Sequence, residues 1–98
     1  SDRAIIEIIK NNNLYISDLS LADILINYSI SIARNMAGHP LDTVFEDFEI
    51  FKNTKEYHTV LDLSRVAKEH FDVDFNDSEK SFLTLMLICK GSTHDKIY

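Results

Sequence analysis

One proline, two glycines, one cysteine and no tryptophan occur in this chain of 98 residues. Sheets joined by tight turns draw heavily on glycine and proline, so their scarcity points to helices linked by short polar connections. The single cysteine, Cys89, excludes an internal disulfide. Because it lies in an apolar run, it is expected to be a buried thiol. No stretch approaches the ~20 apolar residues of a membrane-spanning helix, and none reads as a secretory signal. A cytoplasmic location is expected, with no membrane contact. A basic excess is also missing: 16 acidic residues face 10 basic ones, for a net charge of -6. Domains that bind nucleic acid take much of their affinity from neutralising phosphates. Direct DNA or RNA binding by this domain is therefore not expected.

What is present fits one globular domain covering residues 1–98. The composition is 45% hydrophobic and 27% charged, too apolar for a disordered chain, and the length supports a single core. Both ends read as cuts from a longer protein. Hydrophobic periodicity predicts a first helix over Asp2 to Lys10, with Ile5, Ile8 and Ile9 on one face and Asn11, Asn12 and Asn13 stopping it. A long helix is expected from about Asp18 to Ala37, capped by Ser17 or Ser20 and ended by Gly38 and Pro40. Its inward stripe reads as Leu19, Ala22, Ile26, Ile30, Ala33 and Ala37, widened by Ile24, Leu25 and Ile32.

Leu41 to Phe51 reads as a shorter helix, with Leu41, Val44, Phe45, Phe48 and Phe51 on one side. Asn53 and Glu56 form a capping-box pattern that opens a helix to about Phe71, with Tyr57, Val60, Leu61, Ala67 and Phe71 inward. Val73 and Phe75 are expected to pin the next link to the core. Asn76 and Glu79 form another capping box. The last helix, to about Lys90, is apolar on most faces and so buried on several sides, with Gly91 as its stop. The fold class is all-α, a compact bundle of about five helices.

The residues offer little chemistry. His39, His58, His70 and His94 have no cysteine or second histidine at metal-ligand spacing. Asp42, Glu46, Asp47 and Glu49 read as a solvated helix face, because no EF-hand spacing or turn glycine accompanies them. Cys89 has no nearby base, and no glycine-rich phosphate loop occurs. Leu87-Ile88-Cys89-Lys90-Gly91 fits the His-x-x-Lys-Gly frame of helical phosphotransfer domains. Leucine stands where that chemistry requires histidine, so the activity is excluded. Neither an enzyme nor a cofactor is expected.

Two segments resemble a known family. Leu25-Ile26-Asn27-Tyr28-Ser29-Ile30-Ser31-Ile32-Ala33-Arg34-Asn35-Met36-Ala37-Gly38 is similar to the first signature of the PTS regulation domain, or PRD. That signature places a histidine ahead of alternating small and apolar residues, then an arginine and a nearby glycine. Phe75-Asn76-Asp77-Ser78-Glu79-Lys80-Ser81-Phe82-Leu83-Thr84-Leu85-Met86-Leu87 resembles the second, in which glutamate opens a helix leading to another histidine. Lys55-Glu56-Tyr57 is similar to the family's intervening tyrosine-rich region without its proline. The similarity covers about residues 17–91.

The resemblance implies a five-helix bundle, often dimeric, within bacterial transcription antiterminators and activators of sugar-utilisation operons. It implies regulation through the phosphotransferase system, whose phosphocarrier HPr and sugar-specific IIB components phosphorylate PRD histidines. Pairing with a second copy or with another PRD is implied as well. The sequence departs from the family at both histidines. Asn27 holds the first position, seven residues before Arg34, and Met86 holds the second, seven after Glu79. Neither side chain accepts a phosphoryl group at nitrogen. Arg34 and Glu79 are kept as accessory polar residues. Orientation of groups around the former phosphosite, capping and a surface ion pair are all open roles for Arg34. The expected protein is thus a regulatory and pairing module that has lost its phosphorylation switch. The alternative is a helical adaptor unrelated to phosphotransferase signalling.

Overall fold

The computed structural model describes residues 2–43 and 48–95, with the side chains of 92–95 outside that description. Five helices follow one another: α1 (Asp2–Asn11), α2 (Asp18–Met36), α3 (Phe48–Phe51), α4 (Lys55–Phe71) and α5 (Asp77–Asp95). The described residues contain no strand. An all-α bundle is therefore what this glycine-poor, proline-poor sequence forms.

Local chemistry sets most helix ends. Asn13 takes left-handed backbone (φ 60°) after α1, and the Asn12 amide donates to the Ile8 carbonyl at 2.8 Å and to the Asp62 carboxylate at 2.9 Å. That second bond ties the end of α1 to α4. Ser17, not Ser20, caps α2, its hydroxyl oxygen accepting from the Ser20 N–H at 3.2 Å. Gly38, at φ 80°, ends the helix, and the His39 N–H closes back on the Arg34 carbonyl at 2.9 Å. This left-handed position suits glycine, which has no Cβ to clash.

Thr54, not Asn53, caps α4 and accepts from the Tyr57 N–H at 3.0 Å. Asp72 closes the helix in left-handed backbone (φ 55°). Asn76 Oδ1 accepts from the Glu79 N–H at 2.8 Å, so the expected cap of α5 forms. The far end differs from expectation: α5 runs through Gly91 to Asp95.

The helix expected over Leu41 to Phe51 is described only at Phe48–Phe51. Leu41 to Thr43 are not helical, and Val44, Phe45, Glu46 and Asp47 lie outside the described residues. Side chains from the start of α5 take the polar backbone of this link. The Asn76 amide donates to the Leu41 carbonyl at 2.9 Å, and the Ser78 hydroxyl donates to the Thr43 carbonyl at 2.7 Å.

Helix α5 is the hub, packing against α2, α3 and α4, while α1 lies on α4. Its Leu83 and Leu87 join Ile5 and Ile9 of α1, Ile24, Tyr28 and Ile32 of α2, and Val60, Leu63 and Ala67 of α4 in one core. Val73 and Phe75 are both buried and anchor the α4–α5 link as their apolar character requires. The Tyr28 hydroxyl donates to the Leu63 carbonyl at 2.7 Å, and the Tyr28 ring meets Phe75 edge to face at 6.0 Å.

The inward face of α2 is only partly the one expected. Leu19, Ala22, Ile26, Ile30, Ala33 and Ala37 are exposed, whereas Ile24 and Ile32 are buried as expected, Leu25 packs against the core, and Tyr28 and Ser31 join them inside. On α4, Val60 and Ala67 are buried as expected, whereas Phe71 is exposed and Thr59 and Leu63 are inside. Cys89 lies on the outward side of α5 and is exposed, contrary to the buried thiol expected. An apolar run on a helix necessarily places some of its members outside when only one side meets the core.

Candidate functional site

Arg34 sits in the last turn of α2 and Glu79 in the first turn of α5. They meet as a two-pronged pair, with Arg34 Nη2 donating to Glu79 Oε1 at 2.7 Å and Nε donating to Oε2 at 3.2 Å. Glu79 is fully buried, and a quarter of the Arg34 side chain is exposed. Two further donors reach Oε2: the Asn35 amide at 3.0 Å and the Leu41 N–H at 3.0 Å. A carboxylate at the N-terminal turn of a helix is also favoured by the helix dipole. Among the described residues no buried side-chain nitrogen or oxygen lacks a hydrogen-bond partner.

Burial alone would push the Glu79 carboxyl up. The Arg34 guanidinium, the Leu41 N–H and the Ser31 hydroxyl outweigh it and hold the group below the ordinary carboxylate range. Glu79 is therefore ionised at neutral pH. Arg34 Nη2 also donates to Ser31 Oγ at 3.0 Å, and its guanidinium lies 5.6 Å from the Phe82 ring centroid. The planar guanidinium can serve both carboxylate oxygens and still face an aromatic ring, which a lysine ammonium cannot do. The surface ion pair considered for Arg34 is thus an ion pair to a buried partner.

A second bridge joins the opposite ends of the same helices, with Lys90 Nζ donating to Asp23 Oδ2 at 2.9 Å. Helices α2 and α5 therefore run antiparallel. From Asp23 to Arg34 is eleven residues, and from Glu79 to Lys90 is also eleven. Asn27 lies four residues after Asp23, and Met86 lies four before Lys90. The register consequently places Asn27 and Met86 level with each other across the two helices. At 1.5 Å rise per residue, that level is about 6 Å from the Asp23–Lys90 bridge and about 10 Å from the Arg34–Glu79 pair.

Asn27 is half-buried, and its amide donates to the Asp23 carbonyl at 2.8 Å. Met86 is half-buried and packs against the core. The fold thus brings the four singled-out residues into one antiparallel frame: Arg34 and Glu79 in direct contact, Asn27 and Met86 at a common level. Sequence reasoning missed Ser31, Asn35 and Leu41 as partners of this frame. Asn35, directly after Arg34, was the available signal, whereas the Leu41 N–H has none because it is backbone.

His39, His58 and His70 are all exposed, His39 in the link after α2 and His58 and His70 twelve residues apart on α4, while the His94 side chain is outside the described residues. Among the acidic group, Asp42 and Glu49 are exposed. Glu49 accepts from Lys52 at 3.1 Å, and Glu46 and Asp47 are outside the described residues.

A family model of the PRD domain matches residues 2–89. That span takes in α1, beyond the resemblance over about 17–91, in keeping with the burial of Ile5 and Ile9 in the common core. No curated protein and no solved structure matches the chain.

Proposed function

The chain belongs to the PRD family, and on that premise we propose that it is the pairing module of a transcriptional regulator linked to the phosphotransferase system, not itself phosphorylated at the family's positions. PRDs are regulatory, non-catalytic domains. The parent would be an antiterminator or activator of sugar-utilisation genes, with the nucleic-acid-binding part elsewhere in the polypeptide. HPr and IIB proteins are its candidate docking partners, and a second copy or an intact PRD its candidate pairing partner.

The observation that carries this reading is the Asn27–Met86 level. By the resemblance, Asn27 and Met86 stand at the family's two histidine positions, and neither side chain offers a nucleophilic nitrogen. An asparagine amide nitrogen has its lone pair delocalised into the carbonyl, and methionine has none. The Arg34–Glu79 pair supports the same reading, because it keeps the α2–α5 frame without needing a phosphoryl group between them.

Intact-mass measurement tests the proposal. The purified chain is incubated with phosphoenolpyruvate, Enzyme I, HPr and IIB proteins, with a phosphorylatable PRD as control. No added phosphoryl mass is expected. A stoichiometric adduct mapped to His39, His58 or His70 would show that the switch has moved, not vanished.

A further inference from the structure

A half-open cleft of about 310 Å3 lies between the end of α1 and the start of α2. Five aliphatic side chains line it: Ile6, Ile9, Leu14, Ile16 and Leu21. Ile9 is buried, and Leu14, Ile16 and Leu21 pack against the core, so the cleft has a firm apolar floor. Lys10, Asn13 and Tyr15 complete the lining, and no acidic residue takes part. Mostly apolar walls with a few polar groups, around a volume of roughly 300–1,000 Å3, are the usual make-up of a small-molecule site.

The backbone around the cleft is already satisfied. The Ile8 carbonyl accepts from the Asn12 N–H at 3.1 Å, that of Ile9 from the Leu14 N–H at 3.2 Å, and that of Lys10 from the Asn13 N–H at 3.0 Å. With Asn13 in left-handed backbone, these bonds close α1 and fix the link that forms one wall. A lysine near a helix end commonly caps such carbonyls. Here they are taken, and the Lys10 ammonium is left over.

Lys10 also lacks an acid. Arg34, Lys52, Arg65, Lys68 and Lys90 each hold a carboxylate. Lys10 holds none among the described residues, in a chain whose acidic residues outnumber its basic ones by 16 to 10. The Asn13 side-chain amide and the Tyr15 hydroxyl have no partner among the described residues either. Lys55 brings a second ammonium close by, its Nζ donating to the Asn13 carbonyl at 3.4 Å.

We propose that this cleft binds a small amphiphilic carboxylate, its hydrocarbon part against the isoleucines and leucines and its head on the Lys10 ammonium. The site goes beyond the pairing role and does not depend on it. Volume sets the size: at about 30 Å3 for each water-sized atom, the cleft takes about ten non-hydrogen atoms. Octanoate is of that size. Charge sets the class. One ammonium in an otherwise apolar lining balances one negative charge. A phosphate dianion is matched by an arginine fork or a ring of donors, and no arginine lines the cleft. A sugar needs hydrogen-bond partners on most sides, which aliphatic walls do not give.

Amide shifts of the nitrogen-15-labelled chain, followed as sodium octanoate is added, test the proposal. Saturable shifts are expected at residues 9–16 and 21. The dissociation constant should be about 0.1–1 mM, the range that about ten atoms support at a modest yield per atom. 1-Octanol, with the same hydrocarbon and no charge, should bind more weakly by roughly threefold or more. Lys10→Met keeps a long side chain at an exposed position. It should bring octanoate down to the level of octanol, with octanol binding and helical circular dichroism unchanged.

An absence of saturable shifts at about ten times the expected constant overturns the site. So do shifts centred away from residues 9–21. Equal affinities for octanoate and octanol, or an octanoate affinity indifferent to Lys10→Met, overturn the carboxylate as its ligand.

Discussion

Arg34 and Glu79 are 45 residues apart in the chain and share two hydrogen bonds across the α2–α5 junction, with the carboxylate wholly inside and the guanidinium partly in water. One member gathers the contacts of four partners, so its two ends are unequal. Removal of either side should reveal that asymmetry.

Arg34→Ala leaves a buried carboxylate without its cation and should cost about 3–5 kcal/mol. Glu79→Gln keeps the shape and an oxygen for the Leu41 N–H and leaves no buried charge, although its NH2 then faces the Arg34 Nη2 donor of a guanidinium that already reaches water. Its loss should be the smaller of the two. Urea denaturation of both variants checks the order, and equal losses would mean that burial of Glu79 does not set the cost. Since domains of this size are stable by only about 5–15 kcal/mol, Arg34→Ala is expected to be partly unfolded when warmed.

Stability should fall at both extremes of pH. The Glu79 carboxyl sits below its ordinary value of 4.5, so its contribution is full above that value and lost as pH falls through the lower, folded-state one. At the alkaline end, burial pushes the Tyr28 hydroxyl from 10.0 to about 12. Its contribution is full below pH 10.0 and lost as pH rises to about 12. Denaturation midpoints across pH should show the acid loss reduced in Glu79→Gln and the alkaline loss reduced in Tyr28→Phe. A profile unchanged by either variant would assign the effect to other groups.

The start of α4 gives a local test. Thr54→Ala should cost about 1 kcal/mol, because the Tyr57 N–H loses its acceptor. Asn53→Ala, one residue earlier, should change stability by less than about 0.5 kcal/mol, as expected for an exposed site away from such features. A larger loss at Asn53 would move the helix boundary back by one residue.

The two faces of α2 should respond differently. Ile24→Ala removes a fully buried side chain and should cost about 2–5 kcal/mol. Leu19→Ala should cost less than about 0.5 kcal/mol at concentrations where the chain is monomeric. Chemical denaturation at low protein concentration separates them. A large loss at Leu19 would mean that the exposed stripe is packed within the monomer.

Those two faces also show what the sequence could and could not tell. Four of the helices, the asparagine stop of α1, the Gly38 stop of α2 and the family resemblance are local properties, and local pattern found them, whereas the stop expected at Gly91 did not form. Periodicity could not say which apolar stripe of α2 faces inward, since Leu19–Ile26–Ala33 repeats as well as Ile24–Tyr28–Ile32. The core stripe even contains Ser31, and Thr59 and Thr84 are equally buried. The two threonine hydroxyls donate to the carbonyls of Lys55 and Lys80, each four residues earlier, so small polar side chains enter the core already satisfied. Leu41 failed for the opposite reason. Its spacing suits a helix, but its N–H is committed to Glu79 and its carbonyl to Asn76, contacts between segments that no window of sequence contains.

The matched intervals between the two bridges of α2 and α5 make these helices a pair of rulers. One residue inserted between Asp23 and Arg34 would turn the far end of α2 by about 100° and advance it by about 1.5 Å. Arg34 would swing off Glu79 while Lys90 still held Asp23. Side-chain identity at 27 and 86 can therefore drift while the number of residues between the bridges cannot. A lineage of such domains is expected to tolerate substitution along these helices and to purge insertions and deletions within them.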